Sequence, residues 1–127
     1  MKEDHNRLGA WGEEKASGFL EDKGYRILDR NFKNASGRRK GEIDIIAFDE
    51  EAGDLVFVEV KSRTKRLFGE TVPEENITCP KLRKLAKIAQ IYLRSKRLEN
   101  HSYRFDAISV IFDPGSREIE FRHIIGL

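Results

Sequence analysis

The sequence has few of the residues that define several common protein classes. It contains one cysteine, Cys79, so an internal disulfide and a thiolate metal cluster are both excluded. Its longest apolar runs, such as Ala107 to Phe112, have strand length and fall far short of the roughly 18 residues that a membrane span needs. The opening residues, MKEDHNRLGAWGEE, lack the apolar stretch of a signal peptide. These absences predict a cytoplasmic protein that does not enter a membrane.

What the sequence does contain fits one compact domain. The chain has 127 residues, which is enough for one hydrophobic core and too few for two ordinary domains. Hydrophobic residues make up 39% of it and can fill that core, while 36% charged residues cover the surface. We therefore treat residues 1–127 as a single domain.

The net charge of +2 conceals an uneven distribution of charge along the chain. Residues 1–60 carry 10 basic and 14 acidic side chains, whereas residues 61–104 carry 12 basic and 4 acidic ones. A basic segment in an otherwise acidic chain suits a polyanionic partner. A basic helix that is simply solvated is the alternative interpretation of the same pattern.

Hydrophobic periodicity and turn residues predict an α/β domain with the element order α-β-β-β-α-β-β. The first helix is expected over 6–23 and ends at Gly24, and the second begins after Thr78 as its cap. Strands are expected over 25–32, 43–48, 55–60, 103–112 and 117–125. Residues 63–76 show no period and predict a long loop. Glycines within the first helix, at 9, 12 and 18, predict close contact between its backbone and the sheet.

The second and third strands carry charges where a sheet core prefers apolar groups. If residues 49–54 form a symmetric hairpin loop, antiparallel partners sum to 103, which sets Asp44 opposite Glu59 and Glu42 opposite Lys61. All four side chains would then share one face. Directly opposed carboxylates repel each other and need a cation between them.

A divalent metal ion is one cation that this arrangement can hold. Carboxylate oxygens without nearby histidine or cysteine favour Mg²⁺ or Mn²⁺ over zinc. Such an ion can activate water for attack on phosphorus, while Lys61 stabilises the developing charge. The alternative is a structural ion pair of Lys61 with Asp44 or Glu42, which leaves the charge of Glu59 uncompensated.

The same residues resemble a known nuclease motif. Asp44 followed by Glu59-x-Lys61 resembles the PD-(D/E)XK pattern, with GEID at 41–44 in place of its Pro-Asp element. The longer stretches LGAWGEEKASGFLEDKGYRILDRNF, GEIDIIAFD and LVFVEVKSRT are similar to the YraN-like uncharacterised bacterial family. The resemblance implies a restriction-endonuclease-like fold, with a mixed central sheet flanked by helices, related to Holliday-junction resolvases.

The resemblance also assigns roles to individual residues. It implies that Asp44 and Glu59 are the metal ligands for Mg²⁺ or Mn²⁺ and that Lys61 is the catalytic lysine. Glu13 would be the carboxylate from the first helix that completes the acidic cluster in resolvase-like proteins. Its alternative is an ordinary surface glutamate beside Glu14.

Basic residues near the motif are candidates for binding phosphates. Arg63, Lys65 and Arg66 follow it directly, and Lys81 lies at the start of the second helix, where amide donors also favour phosphate. The second helix adds a basic stripe of Arg83, Lys87, Arg94 and Arg97. Solvated side chains with no ligand are the alternative for this set.

Taken together, the sequence predicts a metal-dependent nuclease that binds nucleic acid and hydrolyses phosphodiester bonds. The resemblance favours DNA over RNA, and the lack of a base-reading module favours selection of structure over sequence. Action on both strands would favour a homodimer. The alternatives are a non-catalytic nucleic-acid-binding or adaptor protein that retains the nuclease fold, and a scaffold with an ion-paired hairpin.

Overall fold

A computed structural model of the chain describes residues 2–33, 41–65 and 79–127. Within these ranges the elements are α1 (Lys2–Asp22), β1 (Tyr25–Lys33), β2 (Glu42–Asp49), β3 (Asp54–Thr64), α2 (Cys79–Ser95), β4 (Tyr103–Phe112) and β5 (Ile119–Ile125). The predicted α/β class, with a mixed sheet and two helices, is confirmed for this part of the chain. The Thr78 cap, Arg66 and most of the predicted long loop lie outside the described residues.

The described strands form one five-stranded sheet in the order β1-β2-β3-β4-β5. Three neighbouring pairs are antiparallel, and only β3 and β4 run parallel, because α2 lies between them in the chain. The β2–β3 register has the predicted sum of 103, from Asp49↔Asp54 to Ile45↔Val58. The hairpin therefore has the expected symmetry and register, but its loop is the four residues 50–53 and not the predicted six, because Asp49 and Asp54 pair with each other.

Two helices cover opposite faces of the sheet. Alternate residues of β3 divide between them: Val56 and Val58 pack in a cluster with Leu20 of α1, whereas Leu55 and Phe57 pack in a cluster with residues of α2. A strand that is buried on both faces must be apolar along most of its length. This burial explains the unbroken hydrophobic run 55–58 and makes the carboxylate of Glu59 an exception that needs a partner.

Several element boundaries differ from the sequence prediction. Helix α1 begins at Lys2, and β3 continues to Thr64 instead of ending at 60. Helix α2 ends at Ser95, so Arg97 does not belong to the predicted basic stripe; its backbone is left-handed, with φ of 57°. The helix closes there because Leu98 N–H donates to the carbonyl of Leu93. Neither described helix combines the length and apolar character that crossing a membrane requires.

A buried polar network fixes the end of the sheet that carries the β2–β3 turn. Arg104 of β4 donates to Asp49, at 2.9 Å, and to Asp106. Asp106 is fully buried and accepts from Nε2 of His123 at 2.8 Å. Burial alone would raise the pKa of Asp106, but the hydrogen bonds from His123 and Arg104 hold it below its usual range. The network ties the end of β2, at Asp49, to β4 and β5.

Candidate functional site

Asp44 lies where β2 and β3 stop pairing. The last ladder pair on this side is Ile45↔Val58. Beyond it the backbone N–H of Val60 donates to Oδ2 of Asp44 over 2.8 Å. The side chain thus takes over a backbone donor that the diverging strand leaves without a ladder partner. This bond fixes Asp44 at the end of the β2–β3 ladder. Side chains from the α1 layer and from the α2 layer can both approach it there.

The neighbouring strand is distorted at the same place. The register of β1 with β2 pairs Arg30 with Ile45 and Phe32 with Ile43, which sets Asn31 opposite Asp44. Asn31 has a left-handed backbone, with φ of 54°. Asparagine tolerates this conformation better than most residues, and such outliers accumulate at functional sites. Its side-chain amide hydrogen-bonds to Glu13 and so connects β1 with α1.

Close contact between α1 and β3 brings Glu13 to the sheet. A Cβ atom at Gly12 would overlap the side chain of Ser62 in β3, so only glycine allows this approach. The prediction of close backbone contact is confirmed for Gly12. It is wrong for Gly9 and Gly18, since a Cβ at either position would have open space around it. Gly12, which directly precedes Glu13, is therefore the glycine that permits the close approach of α1 to β3.

Three carboxylates converge at this point. Glu13, Glu42 and Asp44 each place one carboxylate oxygen within 4.8 Å of the others. Burial raises the pKa of Asp44 to about 7, and the charges of Glu59, Glu13 and Glu42 add to the effect against the hydrogen bond from Val60. Burial also raises the pKa of Glu13, with a contribution from Glu42, against hydrogen bonds with Asn31 and Asp44. Burial and the neighbouring charges therefore oppose ionisation of the carboxyl groups of Asp44 and Glu13.

Glu59 lies beside this cluster and pairs with two lysines. It is 8% exposed, and its Oε1 is 3.5 Å from Nζ of Lys61 and 3.2 Å from Nζ of Lys81. Lys61 comes from the same strand, whereas Lys81 comes from the first turn of α2. The structure therefore places Lys61 beside Glu59, the carboxylate that the ion-pair alternative leaves uncompensated.

The expectation of a single shared face for the four charged residues is too simple. Ile43 and Ile46 of β2 both pack in the α2 cluster, although strict alternation would separate them. Asp44 and Glu42 meet Glu13 from the α1 layer, while Glu59 meets a lysine from the α2 layer. The irregular strand end gathers side chains from both sides of the sheet.

The candidate phosphate-binding residues do not all lie beside Glu59, because Lys65 lies beyond the end of β3 and near Asp113. Arg63 is half-buried and, because β3 extends to Thr64, it follows Lys61 on the same face. Lys65 is exposed, and its backbone N–H donates to the carbonyl of Phe112. Lys81 contacts Glu59. The roles of these residues in binding phosphate stay predictions, and Arg66 lies outside the described residues.

Two residues of the cluster have no predicted role. The predicted register places Glu42 on the same face as Asp44, but the motif does not include it among the metal ligands. Its spacing of two residues from Asp44 is the sequence signal that could have indicated this role. Asn31 carries no signal in the hydrophobic pattern, because its position depends on a left-handed backbone that periodicity does not reveal.

Comparison with known proteins identifies the family of this chain. The model of the uncharacterised protein family UPF0102 matches residues 12–110. A UPF0102 protein of Clostridium perfringens is 40% identical over 124 residues, covering 98% of this chain and 95% of the relative. A UPF0102 protein of Syntrophomonas wolfei is 40% identical over 121 residues, covering 95% and 96%. One of Persephonella marina is 46% identical over 103 residues, covering 81% and 82%. The YraN-like resemblance is thus confirmed, and the chain belongs to the UPF0102 family.

Proposed function

We propose that this protein is a metal-dependent nuclease with a restriction-endonuclease-like fold, which hydrolyses phosphodiester bonds and acts on DNA in preference to RNA. The observation that carries the proposal is the convergence of Glu13, Glu42 and Asp44 beside the Glu59–Lys61 pair. Acidic ligands next to a lysine at the end of a central strand are what cation-assisted attack on a phosphate requires.

The donor set fits a hard divalent cation. Carboxylate oxygens are the ligands that Mg²⁺ and Mn²⁺ prefer, and the described part of the site contains no sulfur or imidazole donor. Burial is the main cause of the raised pKa of Asp44, and the charges of Glu59, Glu13 and Glu42 add to it. A divalent cation would relieve the repulsion between these carboxylates. Asp44 would hold the ion with Glu13 and Glu42, and Glu59 is the further ligand that the motif implies. The bound ion would neutralise charge on the phosphate and acidify a water molecule.

The basic side chains have distinct parts in this proposal. Lys61 is partly buried beside Glu59 and would stabilise the negative charge that develops on the attacked phosphate. Lys81 and Arg63 would hold the adjacent phosphates of the chain and so fix its register. Asn31 would act on Glu13 alone, by holding its carboxylate toward Asp44.

One observation favours a second candidate, a nucleic-acid-binding protein without catalysis. The charge of Glu59 is already balanced by two ammonium groups, those of Lys61 and Lys81. A carboxylate held in this way has less need of a metal ion. In that case the basic residues bind the phosphates and the acidic cluster is only a remnant of the nuclease site.

A cleavage assay separates the two candidates. Purified protein is incubated with branched, single-stranded and duplex DNA and with RNA, in Mg²⁺, Mn²⁺ or EDTA, and compared with the Asp44→Asn variant. Cleavage that needs the metal and disappears in the variant supports the nuclease. Binding without cleavage under every condition supports the second candidate.

A further inference from the structure

The α2 side of β4 and β5 forms a surface that continues directly from the acidic site. Parallel pairing of β3 with β4, and antiparallel pairing of β4 with β5, align residues in rows across the three strands. Two of these rows are Glu59–Ala107–Ile124 and Lys61–Ser109–Arg122. Paired residues on neighbouring strands project from the same face, so both rows lie on one surface.

Helix α2 covers little of this surface. Among the described residues, the cluster packed around α2 includes residues of β1, β2 and β3 but only Phe105 from β4. Tyr103 at the start of β4 is 38% exposed and Ile124 of β5 is 45% exposed. Ser109 and Arg122 are half-buried. An apolar and cationic sheet face therefore extends from the site toward the β5 edge.

The middle strand of this surface carries small residues. Ala107, which is 9% exposed, and Ser109 lie between the longer side chains of β3 and β5. An unpaired base has a free ring face that can stack on an aromatic side chain, whereas the bases of a duplex are already paired and stacked on each other.

The two ends of this surface offer different groups. At the start of β4, Tyr103 is held by edge-on contact with Phe57 and Phe105, and its hydroxyl accepts from Nε2 of Gln90 at 3.2 Å. A partly exposed ring fixed in this way is a platform on which any base can stack.

At the other end, the described part of the surface carries three basic residues, Lys61, Arg63 and Arg122, and two acidic residues, Glu59 and Glu120. Nε of Arg122 lies 3.0 Å from Glu120. Phosphates are the natural ligands of such a group of cations.

We propose that this face, defined by Tyr103, Ala107, Ser109, Arg122 and Ile124, binds a single strand of nucleic acid and leads its backbone to Lys61. The inference rests on the proposed function for its ligand class and deepens it, because it names the substrate as single-stranded or locally opened nucleic acid. A base stacks on Tyr103, and a phosphate contacts Arg122.

The test measures binding in EDTA, so that it does not depend on cleavage. A fluorescent oligothymidylate of about twelve nucleotides and its matched duplex are titrated with the full chain over a range of salt concentrations. We expect tighter binding of the single strand. Tyr103→Ala should weaken it by about fivefold or more, and Tyr103→Phe should retain it. Arg122→Ala should weaken it and reduce the salt slope by about 0.7 for each phosphate that the variant no longer neutralises.

The matched control is Arg26→Ala, which removes another exposed arginine with a glutamate partner, Glu50, near the far edge of the sheet. Glu120→Gln should strengthen binding, since it removes a negative charge beside Arg122. The inference is overturned if the duplex binds as tightly as the single strand, or if Arg122→Ala and Arg26→Ala have equal effects.

The result of this binding test can be distinguished from the result of the cleavage assay. Metal-dependent cleavage with no effect of Tyr103 or Arg122 on binding would overturn this inference and leave the nuclease proposal standing. Single-strand binding that depends on both residues, without cleavage in any metal, would support this inference and remove the nuclease proposal.

Discussion

Lys81, in the first turn of α2, lies 3.2 Å from the carboxylate oxygen of Glu59 in β3, and the same oxygen is 3.5 Å from Lys61. Glu59 is thus shared by a lysine of its own strand and one from the helical layer. Either lysine can turn toward a phosphate while the other still balances the buried charge. This arrangement gives the two lysines separable roles, which substitution can test.

We expect Lys61→Ala to lower the rate of phosphodiester cleavage by roughly 10²- to 10³-fold while binding persists, because its charge acts in the transition state. Lys81→Ala should mainly weaken binding, and Glu59 keeps Lys61 as a partner. Single-turnover rates and equilibrium binding, measured separately, distinguish the two effects. Lys84→Ala, which removes an exposed lysine of α2 outside the basic stripe, is the control. Equal losses of rate for Lys61→Ala and Lys81→Ala would contradict this division of roles.

Asp44 should make stability depend on pH between about 4 and about 7. Burial raises the pKa of Asp44 from its ordinary 3.8 to about 7, so in this window the folded state binds more protons than the unfolded state. The free energy of unfolding therefore falls as the pH rises through the window. Asp44→Asn keeps an acceptor for Val60 N–H and removes the charge. We expect it to exceed the wild type in stability by on the order of 2 to 4 kcal/mol at about pH 8.

Urea unfolding of both proteins at about pH 5 and about pH 8 measures this difference. The advantage of Asp44→Asn should grow with pH. Asp22→Asn, an exposed aspartate at the end of α1, is the control and should show no such growth. An advantage of equal size at the two pH values would show that the buried charge of Asp44 is not its cause.

Divalent cations should stabilise the folded protein, because they bind carboxylates that only the folded chain brings together. At a concentration of about 100 times the dissociation constant, the expected gain is about 2.7 kcal/mol, which raises the melting temperature by several degrees. Glu13→Gln, Glu42→Gln and Asp44→Asn should each reduce the gain. Thermal melts in Mn²⁺ and in EDTA provide the measurement.

Glu14→Gln is the matched control for these variants, since Glu14 is the exposed neighbour of Glu13 on the same helix. The gain should also be larger at about pH 8 than at about pH 5, because the ligands must lose their protons to bind the ion. An equal response to Mn²⁺ in Glu13→Gln and Glu14→Gln would remove Glu13 from the ligand set.

The fold could be predicted from the sequence where local signals are strong. The apolar runs, the turn at 49–54 and the helical periods indicate the α/β class and the β2–β3 register, which the pairing of Ile45 with Val58 confirms. Boundaries that depend on tertiary contacts are predicted less accurately. The extension of β3 to Thr64 follows from its parallel pairing with β4 as far as Phe112, a partner 48 positions away.

The site could be predicted only as far as strand pairing determines it. The register places Asp44 near Glu59, but the arrival of Glu13 depends on how α1 packs, and that in turn depends on Gly12 and Ser62. The contribution of Asn31 depends on a left-handed backbone at one residue. Neither feature has a periodic signature, so both emerge only from three-dimensional packing.

Gly12 offers a direct test of how α1 positions Glu13. Gly12→Ala should destabilise the protein by about 1 to 3 kcal/mol, because the added methyl group overlaps the side chain of Ser62 and pushes α1 away from β3. Cleavage should fall with it, since Glu13 moves with the helix. Gly18→Ala, on the same helix with open space, should instead stabilise by about 0.5 to 1 kcal/mol. Urea unfolding and cleavage rates measure both effects.

The double variant Gly12→Ala with Ser62→Gly distinguishes a steric cause from any other. Removing the Ser62 side chain makes room for the new methyl group, so the double variant should recover part of the stability and the cleavage that Gly12→Ala loses. The recovered part is a coupling between the two positions and should exceed about 0.5 kcal/mol. Additive losses in the double variant would mean that the contact with Ser62 does not set the distance between α1 and β3. In that case the placement of Glu13 would need another explanation.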